Sequence, residues 1–213
     1  MDPHGGQPVV QRGAPLGKGR AVMLLVHGRN AGPENILELT APLAHPDFTF
    51  LAPAAAGRTW YPESFLAPIP RNEPWLSSAL RRLASLTDEI EAAGVPRQRM
   101  VLLGFSQGGC LASEYAIRHG SRLGGLVTLS GGLIGPPGTT WEYPGGFDGM
   151  PVFLGCSDRD PHVPRERVEE SAEVFERRGA RVTLRIYPGL GHQVSADELD
   201  FVRGLMREIA AAD

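Results

Sequence analysis

Lysine is all but missing from this 213-residue chain: Lys18 stands beside twenty arginines. The arginines are scattered, which fits the codon bias of a GC-rich bacterial genome better than phosphate recognition. Net charge is only −3 and pI ≈ 6.1, so no general attraction to nucleic acid or anionic lipid is expected. Cysteine is scarce as well. Cys110 and Cys156 lie far apart with no CxxC or His/Cys ligand spacing, which argues against a disulfide framework or zinc site and for two buried free thiols. Long apolar runs are lacking: the longest, residues 21–26, is far too short to span a bilayer. The first residues, MDPHGGQPVV, have neither the basic start nor the apolar stretch of a secretory signal. A cytoplasmic protein without integral membrane association is therefore expected. Aromatics at 7% and a mean hydropathy of −0.14 add no membrane signal.

What remains is ordinary globular composition, 42% hydrophobic and 21% charged, at a length that suits one domain with a sizeable core. Residues 1–20, rich in Gly, Pro and Gln, read as a flexible tail or an edge strand around Val9 and Val10, and 21–213 as the domain. Within it, strand signals at 21–26, 48–52, 99–104, 123–129, 151–155 and 181–187 alternate with helical patterns. Four strand runs are nearly all apolar, as parallel strands covered on both faces must be. The last alternates Val182, Leu184 and Ile186 with Arg181, Thr183 and Arg185, which places it near a sheet edge. Helical spacing appears at Ile36, Leu39 and Leu43, and at Leu76, Leu80, Leu83, Leu86 and Ile90 before Gly94. It returns at Val168, Ala172 and Phe175, and after a Ser195/Glu198 capping box. The alternation predicts βαβ units in a parallel sheet with helices on both faces. The irregular stretches 53–75 and 131–150 are long enough to suggest functional loops.

The sequence LLGFSQGGCLA (102–112) carries the strongest chemical signal. Gly104, Ser106 and Gly108 fit G-x-S-x-G between an apolar strand and a run able to form a helix, the setting of a nucleophile elbow. Bulkier neighbours would collide with the strand and helix beside the serine, and the helix N-terminus favours an oxyanion. A hydrolase of this architecture runs in the order serine, acid, histidine. Only His162 and His192 lie in loops beyond the serine and after a strand. His192, in the Gly-rich loop before the last helix, is the expected base, and His162 is assigned to substrate binding. Between serine and base, GCSDRDPHVP (155–164) offers Asp158 and Asp160. Asp160 precedes a proline that fixes a turn and is expected to orient His192, with Asp158 bracing the loop. Gln107, following the nucleophile, supplies one oxyanion amide. The His27-Gly28 turn aims the amide of Arg29 at the same point, with His27 a structural hydrogen-bonder. Phe65, Leu66, Ile69 and Trp75 form either an apolar substrate rim or the packing face of their loop. GAPLGKG (13–19) has the wrong spacing and position for a phosphate loop, and no H-E-x-x-H supports a metal site.

Taken together, the HG turn, TWYPESF (59–65), GFSQGG, DPHVP and GLGH resemble the phospholipase/carboxylesterase family of α/β-hydrolases over residues 20–210. The resemblance implies a single-domain α/β-hydrolase fold, with a mostly parallel sheet of six to seven strands and no cap domain. It also implies cofactor-free, metal-free hydrolysis of carboxylic ester or thioester bonds by Ser106, His192 and Asp160, with Arg29 and Gln107 as the oxyanion hole. Trp60 would line the acyl pocket. Where the thioesterase branch reads Leu-Gly-Asp after the HG pair, this chain reads Arg29-Asn30-Ala31-Gly32, which favours a small-molecule esterase over a protein depalmitoylase. The expected partner is a small ester of short-to-medium acyl or aryl character, handled by a monomer or weak homodimer. The alternatives are a lysophospholipase or acyl-protein thioesterase, a C–C bond hydrolase or peptidase on the same fold, and a non-catalytic ligand-binding homologue.

Overall fold

The computed structural model describes residues 2–211. Its centre is a seven-stranded sheet built from β1 (Val9–Gly13), β2 (Ala21–Val26), β3 (Phe48–Pro53), β4 (Met100–Phe105), β5 (Gly125–Leu129), β6 (Pro151–Ser157) and β7 (Arg181–Tyr187). Spatial order is β1-β3-β2-β4-β5-β6-β7. Only β1 runs antiparallel, pairing Val9 with Pro53 through Gly13 with Thr49. The remaining neighbours are parallel, as in Leu24 opposite Leu102 and Leu102 opposite Leu126. Five α-helices cover the sheet: α1 (Pro33–Leu37), α2 (Trp75–Ala92), α3 (Gln107–His119), α4 (Arg165–Arg177) and α5 (Ala196–Ala211).

The two-residue period of a strand sorts its side chains between two cores. Val22, Leu24 and Val26 of β2 join residues of α2, α3 and α4 on one face. Ala21, Met23 and Leu25 join α1 and α5 on the other. β2 is buried throughout, which explains its unbroken apolar run.

Several local features differ from the sequence reading. The helical pattern at Ile36, Leu39 and Leu43 is not one helix: α1 stops at Leu37 and gives way to a 3-10 turn at Glu38–Thr40. Thr40 Oγ1 donates to Leu37 O at 2.7 Å, a local bond that competes with helix propagation. On β7, Val182 and Ile186 pack against the core but Leu184 is exposed, because this strand ends the sheet. Before β1, His4 is fully buried. Its backbone N–H donates to Ser78 Oγ on α2, and its ring bridges the loop after β3. Among the described residues no helix is long and apolar enough to cross a membrane.

Candidate active site

The carboxyl ends of β2, β4 and β6, with the loop after β7, converge on one open cavity of about 400 Å³. Ser106 stands between β4 and α3 with φ 57° and ψ −122°, a left-handed backbone region costly for any residue with a side chain. The turn is possible because its flanks are glycine. A Cβ on Gly104 would lie 2.2 Å from Gly108 O, and one on Gly108 would lie 2.1 Å from Val26 O. The Ser106 N–H is held by Leu129 O at 2.9 Å, so the turn is tied to the neighbouring strand.

His192 lies in the loop between β7 and α5. Ser157 Oγ accepts from Gly191 N at 3.0 Å and Asp158 Oδ1 accepts from Gly189 N at 2.7 Å, fixing this loop to the end of β6. The imidazole Nε2 sits 2.9 Å from Ser106 Oγ, and Nδ1 sits 2.7 Å from Asp160 Oδ2. A carboxylate can only accept, so Nδ1 carries the proton and the Nε2 lone pair faces the serine hydroxyl. The ring is packed against Phe105 at 4.9 Å and, edge to face, against His162 at 4.8 Å.

Asp160 is fully buried at its side chain. Burial works to raise its pKa, but hydrogen bonds from His192 and from the backbone N–H groups of His162 and Val163 outweigh it and hold the carboxyl below its usual range. Cys156 approaches the same carboxylate at 3.8 Å. Burial, then the Asp160 charge, pushes its thiol up to about 12, so it stays protonated beside the acid.

Arg29 and Gln107 line the cavity with Ser106. As the first residue of α3, Gln107 has no intrahelical acceptor for its N–H. The amides of Asn30 and Ala31 are taken by Arg58 O and Gly28 O, whereas no protein acceptor takes the Arg29 N–H among the described residues. Both side chains also do work that motif reading missed. Gln107 accepts from Trp60 N at 2.9 Å and donates to Tyr61 O at 2.8 Å. The Arg29 guanidinium donates to the carbonyls of Tyr61, Pro62 and Glu63 at 2.7–2.9 Å. Elbow and HG turn are thereby stapled to the 59–63 segment.

Of the expected substrate-binding residues, Phe65 and His162 line the cavity. Trp60 does not. It is fully buried, its indole N–H donates to His27 O at 2.8 Å, and its ring packs between His4 and His27. Tyr61, the next residue, forms the wall instead. Leu66 also falls outside the lining and packs on the core, as do Ile69 and Trp75. Ala31, Phe105, Cys110 and Val163 add to the apolar lining. Phe105 ends β4 and Cys110 lies in the first turn of α3, so both come with the elbow, and Val163 comes with the loop that carries Asp160; the sequence motifs assign a substrate role to none of them. His27 braces the site through Ala55 N and Gly28 O. Both cysteines are free and buried.

A serine at a strand-to-helix elbow, joined to histidine and aspartate over the carboxyl ends of a parallel sheet, defines an α/β-hydrolase. The profile of the phospholipase/carboxylesterase family matches residues 8–209, and the chain belongs to that family. The crystal structure of a phospholipase/carboxylesterase from Dyadobacter fermentans DSM 18053 superposes with a TM-score of 0.90 at 36% identity, covering 95% of this chain and 97% of that one. Acyl-protein thioesterase 1 of Gibberella zeae is 36% identical over 126 residues, 58% of this chain and 53% of that protein. A probable carboxylesterase, SOBER1-like, of Arabidopsis thaliana is 25% identical over 139 residues, 65% of this chain and 53% of that one. The chain thus aligns with about half the length of these two curated relatives.

Proposed function

We propose that the protein is a serine hydrolase that cleaves carboxylic esters of small, short-to-medium acyl or aryl substrates through an acyl-enzyme. The observation that carries this reading is the continuous hydrogen-bond chain from Ser106 Oγ through His192 to Asp160, open to a cavity at the serine end. His192 Nε2 takes the hydroxyl proton as Ser106 Oγ attacks the acyl carbon. The tetrahedral oxyanion lies against the N–H groups of Gln107 and Arg29. His192 then returns the proton to the leaving alcohol, and water repeats both steps on the acyl-enzyme. Asp160 holds the imidazole in the tautomer that this sequence requires. All groups come from one chain, so a monomer suffices. The two unpaired, buried thiols favour a reducing compartment such as the cytoplasm.

Thioester cleavage is the second reading, favoured by the likeness to the Gibberella thioesterase. Matched p-nitrophenyl ester, acyl-thioester and anilide substrates separate the possibilities by kcat/KM. The ester is expected to lead and the anilide to be negligible, with Ser106→Ala lowering kcat by about 10⁴–10⁶. Anilide turnover equal to ester turnover, or ester turnover that survives in Ser106→Ala, would overturn the proposal.

A further inference from the structure

The two oxyanion candidates are anchored by their own side chains, and those side chains meet on one atom. The Tyr61 carbonyl accepts from Arg29 Nη2 at 2.9 Å and from Gln107 Nε2 at 2.8 Å, and Thr59 Oγ1 joins them at 2.9 Å. Three donors thus crowd an oxygen with two lone pairs. Gln107 Oε1 also accepts from Trp60 N at 2.9 Å, so this buried amide is bound at both ends. The Arg29 guanidinium goes on to the carbonyls of Pro62 and Glu63 at 2.8 and 2.7 Å. Among the described residues no backbone N–H reaches the carbonyls of Tyr61, Pro62 or Glu63, which leaves them to these side chains.

The two residues differ in what else fixes them. Gln107 is the first residue of α3, next to Ser106 and rigid with the elbow. Arg29 lies in the loop after β2, and among the described residues neither its N–H nor its carbonyl joins a backbone hydrogen bond. Its neighbour Gly28 abuts the elbow, where a Cβ would lie 3.3 Å from Ser106 Cβ. The Arg29 amide is therefore referred to the elbow through a chain of links: Gln107 side chain, Tyr61 carbonyl, Arg29 guanidinium. The Trp60 indole N–H, 2.8 Å from His27 O, ties the same segment to the HG turn and keeps it docked when either side chain is shortened.

We propose that the side chains of Arg29 and Gln107 are positioning groups, acting in series through the Tyr61 carbonyl to set the spacing of their own two amides. Two donors hold an oxyanion only when both reach the same point. A misplacement of about 1 Å costs about 10²-fold in rate. Ground-state binding does not use this spacing, so the loss falls on kcat and not on KM. This positioning role rests on the ester-hydrolase reading above.

The test uses Arg29→Met and Gln107→Met, which keep an unbranched stem but remove the hydrogen bonds, and the double variant. With p-nitrophenyl butanoate each single variant is expected to lose about tenfold or more in kcat at nearly unchanged KM. Trifluoromethyl propyl ketone reads the oxyanion itself. Ser106 Oγ adds to its carbonyl carbon, the serine proton passes to His192, and the former carbonyl oxygen carries the negative charge. Its inhibition constant should rise by the factor by which kcat/KM falls, while methyl propyl ketone, which forms no adduct, should bind all variants alike. Because the links are in series, the double variant should lose little more than the worse single one. Single variants within about twofold of the wild type in kcat/KM and in trifluoromethyl ketone affinity overturn the inference. So does a fall in kcat that leaves the trifluoromethyl ketone affinity unchanged, and so do losses that multiply in the double variant. If Gln107→Met fails to fold, Arg29→Met at its exposed position decides by the kinetic and ketone readouts. Failure of the wild type both to hydrolyse the ester and to bind the trifluoromethyl ketone would instead overturn the hydrolase reading itself.

Discussion

Asp158 and Asp160 stand two residues apart in one loop, and their acceptors separate them. The Asp160 side chain is buried and takes hydrogen bonds from His192 and two backbone amides, whereas exposed Asp158 takes the N–H of Gly189. In Asp160→Asn the amide can stabilise the wrong imidazole tautomer, and kcat should fall by about 10⁴. Asp158→Asn should cost about 1 kcal/mol of stability and far less in rate. Steady-state kinetics on both variants checks the division, and a reversed order would move the acid to Asp158. Trp60 belongs to this scale too. Since it fills the core instead of facing the cavity, Trp60→Ala should lower unfolding free energy by about 3–5 kcal/mol. Chemical denaturation measures that loss, and a stable variant with an altered acyl-chain profile would restore Trp60 to the pocket. The meeting of Ser106, His192 and Asp160, and the place of Arg29 and Gln107 beside them, were legible because such chemistry would demand fixed residue types in fixed surroundings. Tyr61 in place of Trp60 was not, because neighbouring aromatics in one loop differ only in which way the folded backbone turns them.

Among the elements, the loop after β3 is held by a device with a pH signature. Ala55 N and Ala56 N donate to His27 Nε2 and His4 Nδ1, and the opposite ring nitrogens bond Gly28 O and Trp60 O. Each ring therefore serves as donor and acceptor at once, which only the neutral form can do. Burial lowers both pKa values below 6.5, partly offset by the bonds to Trp60 O and Gly28 O. The unfolded chain binds protons first as pH falls, so the contribution is whole above about pH 6.5 and is lost as pH drops toward the folded values. Glu114 and Glu198, raised by burial, act in the opposite sense at acidic pH, so a variant comparison is needed to isolate the histidines. Between about pH 8 and about pH 5.5 the melting temperature should fall less in His4→Gln than in the wild type. Parallel slopes would contradict the clamp. The start of α5 is a simpler case: Ser195 and Glu198 exchange the two bonds of the capping box that their spacing announces. The short α1 shows the limit of such reading, since apolar spacing at Ile36, Leu39 and Leu43 is the same whether or not Thr40 turns its hydroxyl back onto Leu37 O.

At the scale of the molecule, the sheet was legible because parallel strands covered on both faces must be largely apolar, and β2 through β6 are buried along nearly their whole length. The small strand β1 and the buried His4 were harder to read, since a Gly- and Pro-rich start looks the same free or docked. The strands and helices use most of the described chain, and the cavity is roofed only by loop residues such as Tyr61, Ser64, Phe65 and His162. The cavity of about 400 Å³ must take the leaving group as well as the acyl chain, so only part of a long chain can be enclosed. Each methylene buried contributes about 0.8 kcal/mol, roughly a fourfold gain in binding. Across p-nitrophenyl esters from acetyl to palmitoyl, kcat/KM should rise over the first few carbons and then flatten or fall, and a maximum at palmitoyl would require a larger groove. The proposed hydrolysis depends on one residue, Ser106, acting as nucleophile. The most direct measurement is reaction with a serine-directed alkyl fluorophosphonate, followed by intact-mass and peptide mapping. One covalent adduct per chain is expected, on Ser106, absent from Ser106→Ala. An adduct on another residue, or ester turnover by a chain that the phosphonate leaves unlabelled, would contradict the proposal.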